Sequence, residues 1–205
     1  MNTDQDLLVK KAVFIDKVHS LKQEFGYASP RIICELVRIH ATSFYGSMLW
    51  QLNSHEHLKL VRSWNTAIKI IWNLPYQTHT TFVEPLTNCP HLQAMLHSRY
   101  VGFSKSLYLS KKNHVRLLFS AIHNDVSSLT GSNINFLKSK YNVNSLEELT
   151  DAKNIIEKEK FKEMAPEDTW KIQVLEELIN FRDEHEETEL TKEEVNELLT
   201  FVTTS

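Results

Sequence analysis

Glycine and proline are scarce, with four and five copies among 205 residues. Tight sheet turns and flexible linkers need those residues, so their near absence argues against both, and proline is expected only at punctuation points. Cysteine is scarcer still. Its two copies, Cys34 and Cys89, stand far apart, one in an apolar helical run and one directly before Pro90 at a helix start. That usage excludes a disulfide framework, and both read as reduced thiols of an intracellular protein, cytoplasmic or nuclear. No apolar run approaches the roughly 20 residues of a membrane span. The polar, acidic start Met1-Asn2-Thr3-Asp4-Gln5-Asp6 does not suit a signal or transit peptide.

Motifs of chemistry are missing too. There is no Gly-rich phosphate loop, no nucleophile elbow and no Cys-His signature. A polymerase or nuclease clamps two divalent cations between closely placed carboxylates, and the chain has no Asp-Asp pair. Its paired acids, Glu147-Glu148, Glu176-Glu177, Glu186-Glu187 and Glu193-Glu194, lie near the C-terminus among apolar residues, a pattern of solvated helix surface. In His55-Glu56-His57 the side chains of adjacent residues diverge on a helix, unlike the i, i+4 pair of a zinc helix. Cys89 and His91 lack a second ligand pair. The expectation is a non-enzyme with no metal and no cofactor.

What is present is helical periodicity. Apolar residues recur every three or four positions, which predicts an all-α fold, an irregular multi-helix bundle with a helical acidic C-terminal tail. A first helix over 4–25 places Leu8, Ala12, Ile15, Val18, Leu21 and Phe25 on one face, and Gly26 stops it. Ser29-Pro30 opens a second, with Ile32, Ile33, Leu36, Val37 and His40 as its stripe, continuing towards Phe44, Leu49 and Trp50 with Gly46 kinking or dividing it. Ser54 caps a third, whose core face holds Leu60 or Val61, Trp64, Ile68 and Ile71. Cys89-Pro90 opens a helix with Leu92, Met95, Leu96, Tyr100, Phe103 and Leu107. Asn113 opens one with Val115, Leu117, Leu118 and Ile122. A loop over 127–133 and a short helix from Ile134 to Tyr141 follow, then two capping boxes, Ser145-x-x-Glu148 and Thr191-x-x-Glu194. The boundary falls near Tyr141, giving a basic helical domain over 1–141 and an acidic helical segment over 142–205.

Charge is divided along the same line. Residues 1–145 carry 16 Lys and Arg against 8 Asp and Glu, whereas residues 146–205 carry 7 against 18. A basic body is the footprint of an anionic partner. Arg99, Lys105, Lys111, Lys112, His114 and Arg116 form a basic stretch interleaved with Tyr100, Phe103 and Tyr108, so phosphate neutralisation and base stacking are both at hand. Lys59, Arg62 and Lys69 line a face that extends it. Tyr100 and Phe103 also stand at core spacing, which favours packing over stacking.

Several strings are more specific than a helical pattern. Ser43-Phe44-Tyr45-Gly46-Ser47-Met48-Leu49-Trp50, Ser63-Trp64-Asn65 and Leu74-Pro75-Tyr76-Gln77-Thr78-His79 resemble the region C-terminal to the polymerase palm in LINE-type non-LTR retrotransposon reverse transcriptases. Arg99-Tyr100-x-x-Phe103, Asp125 with Ser127-Ser128, and Gly131-x-Asn133 are similar to later landmarks of that region. Phe14-Ile15-x-Lys17, Gln23-Glu24-Phe25, and 170–182 with 190–203 extend the resemblance over most of the chain. It implies a helical thumb and the segment after it, gripping RNA or an RNA-DNA hybrid through the backbone without reading sequence. The catalytic aspartates of such enzymes lie on the palm and their endonuclease further upstream, so the chain is expected to be catalytically incomplete, with a polymerase domain as partner in cis or in trans and no membrane partner. Charge, not a family motif, assigns Lys59, Arg62, Lys69, Arg99, Lys105, Lys111, Lys112 and Arg116 to the nucleic acid. Trp50, Trp64 and Tyr45 read as core anchors, and Leu74-Pro75 with Thr78 as a turn with a helix cap. The alternative is a helical protein-interaction scaffold or a non-functional transposon remnant.

Overall fold

A computed structural model of the chain describes residues 3–151, 156, 169–184 and 192–204. Every regular element among them is helical, so the fold is all-α. In order these are α1 (Thr3–Glu24), α2 (Pro30–His40), a 3-10 turn (Ser47–Leu49), α3 (His55–Ile71), α4 (Thr80–Thr87), α5 (Leu92–Tyr108), α6 (Asn113–Ile122), α7 (Leu129–Tyr141), α8 (Leu146–Asp151), α9 (Thr169–Glu184) and α10 (Lys192–Thr204). None of these helices is long and apolar enough to cross a membrane.

Side-chain caps explain several starts. Ser54 Oγ accepts the His57 N–H at 3.2 Å to open α3, and Ser128 Oγ accepts the Gly131 N–H at 2.9 Å to open α7. At α8 Ser145 Oγ accepts the Glu148 N–H at 3.0 Å, while Glu148 Oε2 reaches one residue past the cap and accepts the Asn144 N–H at 2.8 Å, a variant of the capping box. Its counterpart at Thr191 lies outside the described residues, as do the Glu186-Glu187 pair and Met1-Asn2. Gly131 has no substitute, because a Cβ there would stand 2.1 Å from the Asp125 carbonyl oxygen.

Several readings of the sequence need correction. The buried stripe of α1 is Leu7, Phe14 and Val18, and Leu8 and Ala12 face solvent. On α2 the buried residues are Ile33, Cys34 and Val37, while Ile32 and His40 are exposed, because the core-facing arc lies one position further round. That helix stops at His40, so Gly46 belongs to a separate turn. Helix α7 begins at Leu129, five residues before the expected start, because the Ser128 cap converts the supposed loop into a first helical turn. Helix α4 follows the Pro75–Thr78 turn, with His79 as its cap: the Nδ1 atom accepts the Thr81 N–H at 3.3 Å. Leu117 and Leu118 on α6 are exposed, and Phe119 is the residue buried there.

Two compact units share the chain. The first comprises Met1–Val13, Ser43–Arg62 and His91–Lys160. Its core gathers Leu52, Tyr100, Val101, Phe119, Ile134, Leu137, Tyr141, Leu146, Leu149 and Ile156, with α5 in contact with α6, α8 and the 3-10 turn, and α7 with α8. One buried amide fastens it. Asn133 Oδ1 accepts the Leu52 N–H at 3.0 Å and its Nδ2 donates to the Trp50 carbonyl at 2.8 Å. Trp50 in turn donates through Nε1 to Asp6 Oδ2 at 2.8 Å.

The second unit comprises Phe14–Thr42, Ser63–Pro90 and Phe161–Ser205. Leu74, Phe82 and Leu86 meet Leu175 and Ile179 of α9 and Val195 and Leu199 of α10, and the Phe14 and Trp64 rings lie 5.9 Å apart. Two cations satisfy carbonyls that the end of α3 leaves open. Lys22 Nζ donates to the Ile70 carbonyl and, at 2.8 Å, to Asn73 Oδ1. Arg182 donates to the carbonyls of Asn73 at 2.7 Å and Trp72 at 3.1 Å. Burial, with the Arg182 charge added, lowers the pKa of Lys22.

Candidate nucleic-acid interface

The turn over 43–50 owes its shape to two residues with positive φ, Phe44 at 20° and Gly46 at 85°. The second is a left-handed conformation that glycine adopts without a steric cost. The Ser47 N–H closes onto the Phe44 carbonyl at 3.0 Å. Phe44 folds inward against Trp50, ring centroids 5.7 Å apart. Tyr45 is thereby turned outward and is 89% exposed, so it is no core anchor, whereas Trp50 and Trp64 are.

Beside this turn runs α5. Arg99 and Phe103 are one helical turn apart and so share a face. With Phe44, Tyr45, Gly46 and Met48 they line an open groove of about 370 Å³. Partial desolvation lowers the pKa of Arg99 from the ordinary arginine value, though such a side chain remains charged at any physiological pH. The groove therefore offers an exposed phenol, a half-buried phenyl and a guanidinium side by side, a set suited to stacking and to one phosphate contact.

Lys111, Lys112 and Arg116 are exposed around the start of α6, with His114 between them. Lys112 is the N-cap, no side chain caps the helix, and its first turn has no acidic residue. Cations at that end oppose the helix dipole, and an anion docked there would relieve both. Arg116 Nη2 donates to Asn113 Oδ1 at 3.1 Å, which holds it over the same turn.

The other sequence-assigned cations are engaged differently. Lys59 pairs with Glu56 at 2.7 Å, and Lys105 with Asp151 at 3.6 Å. Arg62 is exposed on α3. Lys105 follows Arg99 by six residues, about 240° around a helix, so the two point to different sides of α5. Lys69 belongs to the second unit, where its ammonium donates to the Tyr76 carbonyl at 2.9 Å and lies 5.7 Å from the Tyr76 ring. Burial lowers its pKa.

Sequence reasoning passed over a buried pair of imidazoles in the first unit. His57 and His97 are both fully buried, their rings nearly parallel at 6.5 Å. His97 Nδ1 meets the Tyr141 hydroxyl at 2.7 Å, whereas neither ring nitrogen of His57 has a hydrogen-bond partner. Burial pushes His57 down to about 4 and His97 to about 3, with the Lys140 charge adding to both shifts. The available signal was position: His97 stands beside Leu96 and one turn before Val101, on the apolar arc of α5. His55, which shares the His-Glu-His string with His57, is exposed. The chain matches no family model, no curated protein and no solved structure.

Proposed function

We propose that the chain is a catalytically incomplete, reverse-transcriptase-like thumb and post-thumb fragment that binds RNA or an RNA-DNA hybrid without reading sequence, its chemistry supplied by a polymerase domain in cis or in trans. The observation that carries this reading is a convergence. Two of the strings behind the LINE-type resemblance, 43–50 and 99–103, meet at the groove where Tyr45, Arg99 and Phe103 stand together. The uncapped basic start of α6 supports it as a second phosphate contact. A third string, Gly131-x-Asn133, holds the segment after the same turn by the Asn133 amide.

Fluorescence anisotropy with labelled single-stranded RNA, duplex and hybrid tests it. Four phosphate contacts, from Arg99, Lys111, Lys112 and Arg116, give a salt slope of roughly −3, hence about a fifty-fold loss of affinity between 50 and 200 mM salt. Replacing Lys111, Lys112 and Arg116 by Ala reduces that slope by about 2, and Tyr45→Ala weakens binding to single strands more than to duplex. Negligible affinity at low salt, or affinity indifferent to salt, ends the proposal.

A second reading, the protein-interaction scaffold, draws on Leu117, Leu118 and Val126, which are 70%, 65% and 65% exposed. Under it, nucleic acids fail to bind, and Leu117→Ser with Leu118→Ser abolishes whatever association sedimentation detects in the parent chain.

A further inference from the structure

Residues from α1, α2, α3, α9 and α10, all within the second unit, line a pocket of about 620 Å³. Ile33 and Ile71 are buried and give it an apolar floor. Gly26, Tyr27 and Asn73 are exposed, so the mouth between them opens to solvent. The Tyr27 ring, 86% exposed, stands 6.5 Å from the Phe25 ring that backs it. The volume lies in the range of small-ligand sites, roughly 300 to 1,000 Å³.

Two cations converge in it on one residue. Lys22 Nζ donates to Asn73 Oδ1 at 2.8 Å, and Arg182 Nη1 donates to the Asn73 carbonyl at 2.7 Å. An ammonium has three donors, and the Ile70 carbonyl and Asn73 Oδ1 take two of those on Lys22, which leaves a third for a ligand. No carboxylate stands among the described residues that line the pocket. The carbonyls ending α3 carry about half a negative charge between them, so within this group of side chains and carbonyls positive charge is in excess. On the α10 side, Asn196 Oδ1 is buried and has no hydrogen-bond partner, an acceptor whose desolvation a donor on a ligand would offset.

We propose that this pocket binds a nucleotide-sized phosphate monoester, with its phosphate on Lys22 and Arg182, a hydroxyl donating to Asn196 and its ring against Tyr27. The phosphate follows from the cations. A monoester brings up to two negative charges and several acceptor oxygens to a guanidinium and an ammonium, whereas a carboxylate brings one charge. The ring and hydroxyl follow from the rest of the pocket, since a bare phosphate would leave the volume, the apolar floor and the Asn196 acceptor unused. Burial, and after it the Arg182 charge, lowers the Lys22 pKa, and a bound dianion acts on that ammonium in the opposite sense. The site belongs to the second unit, whereas Tyr45 and Arg99 belong to the first, so it does not depend on the nucleic-acid groove.

The test titrates the whole chain in a calorimeter with adenosine 5′-monophosphate, adenosine and inorganic phosphate at low salt. The nucleotide is expected to bind saturably with a Kd below about 1 mM, and adenosine and inorganic phosphate at least about tenfold more weakly. Lys22→Met keeps the aliphatic stem, removes the charge and weakens the nucleotide by about tenfold. Tyr27→Ala, at an exposed position, weakens nucleotide and adenosine by about fivefold and leaves inorganic phosphate unchanged. Asn196→Asp sets a carboxylate in the pocket and abolishes nucleotide binding by repulsion. The last two variants decide the matter should Lys22→Met fail to fold. No saturable binding of the nucleotide, adenosine or inorganic phosphate binding as tightly as it does, or an affinity that Tyr27→Ala and Asn196→Asp leave unchanged would each overturn the proposal. So would a nucleotide affinity lost in Tyr45→Ala, because the ligand would then sit in the groove of the first unit.

Discussion

Asn133 joins stretches of chain more than eighty positions apart through one side-chain amide, bonding the Trp50 carbonyl on one side and the Leu52 N–H on the other. It is fully buried, so no water replaces either bond once the amide is gone. Asn133→Ala leaves one donor and one acceptor unsatisfied in the core and is expected to lower stability by about 3 kcal/mol, read as a shift of the urea midpoint. Asn133→Asp is expected to be worse, because a carboxylate cannot donate to the Trp50 carbonyl and is itself costly to bury. The string Gly131-x-Asn133 was legible as part of a resemblance. Its role was not, since nothing local to 133 reveals a partner so far along the chain. Tyr45 failed for the opposite reason: it stands between Phe44 and the apolar run that follows Ser47, and only the positive φ of Phe44 and Gly46 turns it outward.

At the scale of the element, helices were legible where the apolar period was long, as at α3, or where a capping pattern marked the start, as at α8. The Ser145 hydroxyl and the Glu148 N–H that it accepts both lie within the four-residue box, so Ser145→Ala is expected to cost about 1 kcal/mol in the same urea measurement. Helix α6 shows where such reading stops. Leu117, Leu118 and Phe119 are consecutive, a helix of ten residues buries only a narrow arc, and periodicity alone does not choose which of the three lies on it. The distinction is measurable. Phe119→Ala is expected to lose about 3 to 5 kcal/mol, whereas Leu117→Ser with Leu118→Ser changes stability by no more than about 0.5 kcal/mol at each exposed site. Equal losses would mean that α6 is rotated about its axis from the arrangement described. Charge was legible at the candidate interface in the same partial way. Sequence identified every cation, and the Glu56–Lys59 pair is local to α3 at i, i+3, but the Lys105–Asp151 pair and the placement of Lys69 against Tyr76 depend on how the chain folds around them.

For the molecule as a whole, His57 and His97 set how stability responds to acid. Both imidazoles are held neutral in the folded chain, at about 4 and about 3, against roughly 6.5 when unfolded. Between those values the unfolded chain binds protons that the folded chain refuses. Their contribution is therefore complete above about pH 6.5 and declines as the pH falls towards the folded values. Each histidine is expected to remove about 2 kcal/mol between pH 7.5 and pH 5, so urea midpoints should drop steeply over a range in which most carboxylates are still ionised. His57→Leu separates this effect from general acid sensitivity. The ring has no hydrogen bond to lose, so the variant is expected to match or exceed the parent at pH 7.5 and to lose about half of the pH dependence. A parent chain equally stable at both pH values, or a His57→Leu variant as acid-sensitive as the parent, would show that the imidazoles reach water and that the first unit opens around them.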